Sequence, residues 1–182
     1  MSIDRLKDAL PDYAKDLKLN LGTVLTTPGM TPAQIWGTAL SCAIASRSAV
    51  LLREIAAEAA LHLDAAGLSA AKTAAALMAM NNVYYRFTHL IEHQSPDYKT
   101  MPARLRMNGL AQHGADPVDF ELWCLAVSAV NACGRCLEAH EAVLLKKGAS
   151  KELVQNVVRI GAVIQAVGVT LDAAAVLGDL PG

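Results

Sequence analysis

The 182-residue chain is poor in aromatic residues and has no excess of either charge. Aromatic residues make up 4% of the sequence, charged residues 18%, and the formal net charge is −1. Because nucleic-acid binding needs a basic face, this balance argues against a nucleic-acid partner. Hydrophobic residues still make up 53%. So much apolar surface with so few aromatic side chains predicts that part of it is buried between subunits.

The sequence also lacks the usual signals of a secreted or membrane-spanning protein. The first ten residues are charged and amphipathic, without an apolar signal core. No apolar run reaches transmembrane length, about 20 residues, without a polar interruption. We therefore expect a cytoplasmic protein with no membrane segment.

No alternating strand pattern with hairpin turns occurs, whereas apolar residues recur at helical spacing. Alanine, the best helix former, is abundant, and the length suits one compact core. We predict a single all-α domain, a helical bundle, over residues 1–182. The predicted helices are 3–18 despite Pro11, 31–63 with a break, 70–93, 101–108, 116–131, one from near Cys133 to Gly148, and 151–177.

A weak internal repeat suggests that the bundle is built from two related helical units, approximately residues 31–93 and 116–178. A shift of 87 residues places Ile35-Trp36 on Leu122-Trp123, with five identities in twenty positions. The pattern predicts two copies of one unit packed on each other. In this register the first copy has Ser46, Ala49 and Arg53 at the places of Cys133, Cys136 and His140.

Two of the four cysteines form a Cys-x-x-Cys motif, Cys133 and Cys136. Their thiols are close enough in sequence to oxidise to each other, and a helix N-terminus favours the thiolate. Cys42 and Cys124 lie in apolar stretches, where we expect buried small hydrophobic residues. In a reducing compartment the four are not a structural disulfide set.

His140 follows the motif at a spacing that puts it on one helix face with both cysteines. A histidine there can deprotonate a thiol or shuttle its proton. Glu121, early in the preceding helix, is a candidate proton acceptor pointing at Cys133. A glutamate at that place is also explained by the helix dipole alone.

Other chemistries fit less well. A zinc site could use Cys133, Cys136, His140 and a carboxylate, but a second ligand pair is missing. Haem attachment would need a histidine directly after the second cysteine, where Leu137 stands. His89 and His93 resemble a polar helix end and receive no role, and we expect His113 to be solvated.

The motif region resembles the alkyl hydroperoxidase D family, within the superfamily that includes carboxymuconolactone decarboxylases. The residues that carry this resemblance are Asp119-Phe-Glu-Leu-Trp123, Ala126-Val-Ser-Ala-Val-Asn131 and Cys133-x-x-Cys136-x-x-x-His140-Glu141. The resemblance extends over the whole chain, including its helical N-terminal half.

This resemblance implies a homotrimeric, all-helical thiol peroxidase without metal, haem or other bound cofactor. Cys136 would attack the peroxide, Cys133 would be the resolving thiol and a proton relay, and Glu121 and His140 would complete that relay. Electrons would pass from dihydrolipoamide, carried on a lipoylated 2-oxoacid dehydrogenase component, to the disulfide of a partner peroxiredoxin.

Arg135 departs from the family pattern, which has a histidine between the cysteines. Arginine cannot act as a base, although its charge can stabilise a thiolate. Two alternatives to a lipoyl-dependent peroxidase remain. One is a carboxymuconolactone decarboxylase-like enzyme, which the dithiol argues against. The other is a non-enzymatic helical module stabilised by zinc.

Overall fold

The computed structural model describes residues 2–178, and this part of the chain is helical without β-strands. The prediction of a single all-α domain is confirmed. The α-helices are α1 Ser2–Ala9, α2 Lys15–Val24, α3 Pro32–Ser46, α4 Ala49–Ala59, α5 Ala65–Leu90, α6 Asp97–Thr100, α7 Pro117–Val130, α8 Gly134–Lys146 and α9 Lys151–Leu177.

Side-chain caps determine where the main helices begin. Thr31 forms a capping box at the start of α3, Asp116 caps α7 and Ser150 caps α9. Pro32 and Pro117 occupy first helical positions, where the missing N–H has no intrahelical partner to lose. The sequence predicts all three starts.

Two predicted helices are wrong, and a proline explains the first. The helix expected over 3–18 is interrupted at Pro11, so that α1, a 3₁₀ turn over Asp12–Ala14 and α2 replace it. The helix expected over 101–108 is not formed. The chain is irregular from Pro102 onward, and Arg104 has a left-handed φ of 52°, which lies outside the α-helical region. A 3₁₀ turn follows at Asn108–Leu110.

Helices α3, α5, α7 and α9 pack together at the centre. Gly37 on α3 allows the close approach of α7, since a Cβ there would lie 2.1 Å from Cε2 of the buried Trp123. This contact holds α7 firmly against the core. Glu121 lies two residues before Trp123, about 200° around the helix, and its side chain is partly exposed at the edge of the bundle.

Among residues 2–178, helix α9 is long and apolar enough to span a membrane by length and composition, although polar residues such as Gln165 and Asp172 interrupt it. In the structure its buried residues include Val157, Ile160 and Ile164, and it packs against α2, α3 and α7. The buried residues form one stripe, so α9 packs on the bundle through one face. The absence of a membrane segment stays a prediction.

The two predicted units have the same order of helix lengths. Helices α3, α4 and α5 have 15, 11 and 26 residues, and α7, α8 and α9 have 14, 13 and 27. The burial pattern along 31–53 matches that along 116–138 almost position for position. That the two units superpose as copies stays a prediction.

The structural register of these units is 85 residues rather than 87. Left-handed Arg47 and Ala132 each precede an N-cap, Ser48 in one unit and Cys133 in the other. A displacement of two residues rotates side chains by about 200° around a helix. The 87-residue register inferred from the sequence identities therefore pairs side chains that lie on different helix faces. The first-unit residues that correspond to Cys133, Cys136 and His140 are therefore Ser48, Leu51 and Ile55.

Candidate active site

A tight turn between α7 and α8 positions Cys133. Ala132 has a left-handed φ of 54°, and the Cys133 N–H donates to the Ser128 carbonyl at 3.0 Å. Cys133 is the N-cap of α8, and its Sγ accepts the Cys136 N–H at 3.4 Å. The sulfur therefore lies at the positive end of the helix dipole.

Cys133 and Cys136 form a disulfide, with Cα atoms 5.3 Å apart. Cys133 is completely buried, whereas Cys136 is 5% exposed and lines a cleft. Access to the pair from this cleft is therefore through Cys136.

His140 and Glu121 form the closest polar contact of the site. The His140 Nδ1 lies 2.7 Å from the Glu121 Oε2, and the side chains are 15% and 25% exposed. The contact joins α8 to α7. Sequence spacing suggested that Glu121 points at Cys133, whereas the structure places its carboxylate on His140.

Met78 occupies the other side of the His140 ring. Its Sδ lies 3.3 Å from Nε2 and also accepts the Ser128 hydroxyl at 3.5 Å. A thioether sulfur can only accept hydrogen bonds. This contact is therefore a hydrogen bond in the tautomer that carries its hydrogen on Nε2, and Nδ1 faces the Glu121 carboxyl group.

A buried asparagine network attaches α5 to the turn that presents Cys133. The Asn82 amide donates to Ser128 at 2.9 Å, and the Asn131 amide donates to Asn82 Oδ1 at 3.0 Å. Arg86 donates to the Asn131 carbonyl at 2.9 Å. Sequence reasoning missed these residues. The available signal was the Asn81-Asn82 pair inside a helix, where asparagine is unfavourable.

The cleft beside Cys136 has a volume of about 290 Å³. Helices α5 and α8 form two walls, and residues 107 and 110 close a third side with apolar groups. The lining residues are Met78, Asn81, Tyr85, Met107, Leu110, Arg135, Cys136, Ala139 and His140. A small molecule with one apolar end and one polar end would fit this composition.

Arg135 lies at the edge of this cleft. Its side chain is 52% exposed and lies 3.8 Å from the Glu138 carboxylate. The charge is therefore on the surface and partly balanced, although it remains next in sequence to Cys136. His89 also lies nearby, because a Cβ on Gly134 would come within 3.9 Å of its Nε2.

The remaining cysteines are buried, which confirms the expectation from sequence. Burial raises the pKa of Cys42 to about 12. Burial, with a smaller contribution from the Glu121 charge, also raises the pKa of Cys124. The expectation of a solvated His113 is wrong: its ring stacks on the buried Phe120 at 3.9 Å between centroids.

Within residues 2–178, no three histidine, cysteine, aspartate or glutamate side chains come together as a possible metal site. The sulfur atoms of Cys133 and Cys136 bond to each other, and His140 is held by Glu121 and Met78.

The chain is similar in sequence to proteins of known family. The family model described as "Carboxymuconolactone decarboxylase family" matches residues 96–179. An alkyl hydroperoxide reductase AhpD from Rhodospirillum centenum is 58% identical over 182 residues, covering 100% of this chain and 97% of its own. Proteins of the same name from Streptomyces griseus, 56% identical over 98% of this chain and 100% of their own, and from a Bradyrhizobium species, 53% identical over 97% and 96%, are also similar. The chain therefore belongs to the alkyl hydroperoxide reductase AhpD family, within the carboxymuconolactone decarboxylase-like superfamily.

Proposed function

We propose that the protein is a thiol-dependent alkyl hydroperoxide reductase. The observation that carries this proposal is the Cys133–Cys136 disulfide, whose Cys136 end lines a cleft together with His140. The names of the relatives support the same activity.

In the proposed cycle the Cys136 thiolate attacks the terminal oxygen of the hydroperoxide. The S–O bond forms as the O–O bond breaks, which leaves a sulfenic acid on Cys136 and an alkoxide that takes a proton and departs as an alcohol. Cys133 then attacks the sulfenic sulfur, and the disulfide forms with loss of water. Glu121 and His140 supply and accept the protons.

The electron donor in this proposal is dihydrolipoamide, carried on a lipoylated 2-oxoacid dehydrogenase component in the cytoplasm. Two thiol–disulfide exchanges would return both cysteines to thiols and leave lipoamide. The reduced pair could then reduce the disulfide of a partner peroxiredoxin by the same exchange chemistry. The protein needs no bound cofactor for either step.

We also propose a homotrimer. Helix α5 exposes large apolar side chains on one face, with Val83 63%, Phe87 45% and Leu90 71% exposed in the single chain. Such a stripe is suited to a contact between subunits. Light scattering at micromolar concentration should give three times the chain mass of 19.2 kDa, and a monomer mass would contradict the trimer.

The central experiment measures consumption of cumene hydroperoxide with dihydrolipoamide, with and without an AhpC-type peroxiredoxin. We expect turnover by this protein alone and faster turnover with the peroxiredoxin. The Cys133→Ser/Cys136→Ser double variant is the matched control. Equal rates for wild type and double variant under both conditions would refute the proposed function.

The decarboxylase-like alternative shares the family model but does not account for the disulfide.

A further inference from the structure

Asn81 carries a side-chain oxygen that is paired with nothing among the described residues. The residue is 4% exposed, and its Oδ1 is sealed from solvent without a hydrogen-bond partner. Its neighbour Asn82, in contrast, bonds to both Ser128 and Asn131. Buried polar groups are nearly always paired because an unpaired one costs stability. An unpaired amide at this place therefore needs an explanation.

The location of Asn81 provides one. Three buried side-chain nitrogen or oxygen atoms among residues 2–178 are unpaired, on Asn81, Trp123 and Gln165. Only Asn81 shares the cleft with Cys136 and His140. It lies three residues after Met78 on α5, one helical turn away and on the same face. The amide thus belongs to the wall opposite the reactive sulfur.

We propose that Asn81 binds the hydroperoxide, an inference that rests on the proposed peroxidase function. A primary amide offers one acceptor and one donor side by side. A hydroperoxide offers the complement, a terminal O–H and an alkyl-bearing oxygen that accepts. Rotation about the soft Cβ–Cγ torsion turns the amide towards the ligand. The alkyl group then lies against Met107 and Leu110.

This binding mode assists the reaction without adding a chemical step. The Asn81 Oδ1 accepts the terminal O–H, which holds that oxygen for attack by the Cys136 thiolate. As the S–O bond forms and the O–O bond breaks, negative charge develops on the alkyl-bearing oxygen. The Asn81 N–H donates to that oxygen, and the proton that completes the alcohol comes from the His140–Glu121 pair.

The test compares Asn81→Leu with wild type in the two half-reactions. Leucine has nearly the shape of asparagine and removes the unpaired oxygen, so the unfolding temperature should be equal or higher. Oxidation of the reduced protein by cumene hydroperoxide and by hydrogen peroxide should slow by roughly 10²- to 10³-fold, the scale for a lost donor to developing charge. Reduction of the disulfide by dihydrolipoamide should be unchanged.

Gln165→Leu is the matched control, since Gln165 also has a sealed, unpaired oxygen but lines a different cleft; it should oxidise at the wild-type rate. If Asn81→Leu is oxidised as fast as wild type, or if both half-reactions slow equally, Asn81 does not bind the hydroperoxide. If wild type itself reacts no faster than a free thiol, the proposed function fails and this inference fails with it.

Discussion

The His140 Nδ1 lies 2.7 Å from the Glu121 Oε2, across the contact between α8 and α7. On the other side of the ring, Nε2 faces the Met78 sulfur at 3.3 Å. The imidazole is therefore held from both sides by groups on two other helices. A proton can move between His140 and Glu121 without any motion of the backbone.

Removal of either relay group should lower peroxide turnover. Glu121→Gln and His140→Gln keep similar shapes but cannot exchange the proton, so we expect a decrease of roughly 10²-fold or more. Steady-state rates measured across pH test this, with circular dichroism to verify the fold. Near-normal rates with the wild-type pH profile in both variants would assign these residues a structural role only.

The buried thiols of Cys42 and Cys124 should not react with alkylating reagents. With a pKa of about 12 for Cys42, only about one molecule in 10⁴ holds the thiolate at pH 8, and alkylation requires the thiolate. Because burial raises the pKa of this thiol, its thiolate fraction increases only at a higher pH than that of an exposed cysteine. Iodoacetamide mass spectrometry of the reduced native protein should label Cys136 first and leave Cys42 and Cys124 unmodified.

The matching activity test uses serine variants. Cys136→Ser should abolish peroxidase turnover, and Cys133→Ser should prevent it because no resolving thiol remains. Cys42→Ser and Cys124→Ser serve as the controls and should retain activity. Full activity in Cys136→Ser would rule out this thiol as the attacking group.

Met78 should influence activity through the tautomer of His140. Met78→Leu conserves volume and should cost less than about 1.5 kcal/mol of unfolding free energy. Since leucine cannot accept the Nε2 hydrogen, we expect up to about tenfold lower turnover, corresponding to one lost hydrogen bond. Nitrogen-15 spectra should show Nε2 protonated in wild type and a mixture of tautomers in the variant. If Met78→Leu changes neither the spectra nor the turnover rate, Met78 does not act through the tautomer of His140.

Gly37 should tolerate no side chain. Gly37→Ala places a methyl group 2.1 Å from Trp123, and the overpacking should lower the free energy of unfolding by about 1–3 kcal/mol or more. Gly22→Ala is the control, because its Cβ meets only the flexible end of Lys7 at 3.1 Å. The control should raise the free energy of unfolding by about 0.5–1 kcal/mol. Urea denaturation that gives equal values for both variants would contradict the tight α3–α7 contact.

The features that could be predicted from the sequence depend on interactions between residues that are close together in the chain. The starts of α3, α7 and α9 follow from caps and prolines within a few residues of each other. The pairing of Cys133 with Cys136 needs only their spacing. One error was local as well: Pro11 was given too little weight against the apolar periodicity of residues 3–18.

The sequence by itself determined the helical class, the starts of α3, α7 and α9 and the position of the dithiol, because each depends on neighbours in the chain. The start of α5 was not among them: it begins at Ala65 and not at the predicted residue 70. Only the tertiary structure decided that Glu121 meets His140, that Met78 faces the other side of the ring, and that Asn81 borders the cleft of Cys136. These contacts join residues that lie far apart in the sequence. Spacing along one helix shows which residues share a face, but packing alone determines which faces meet.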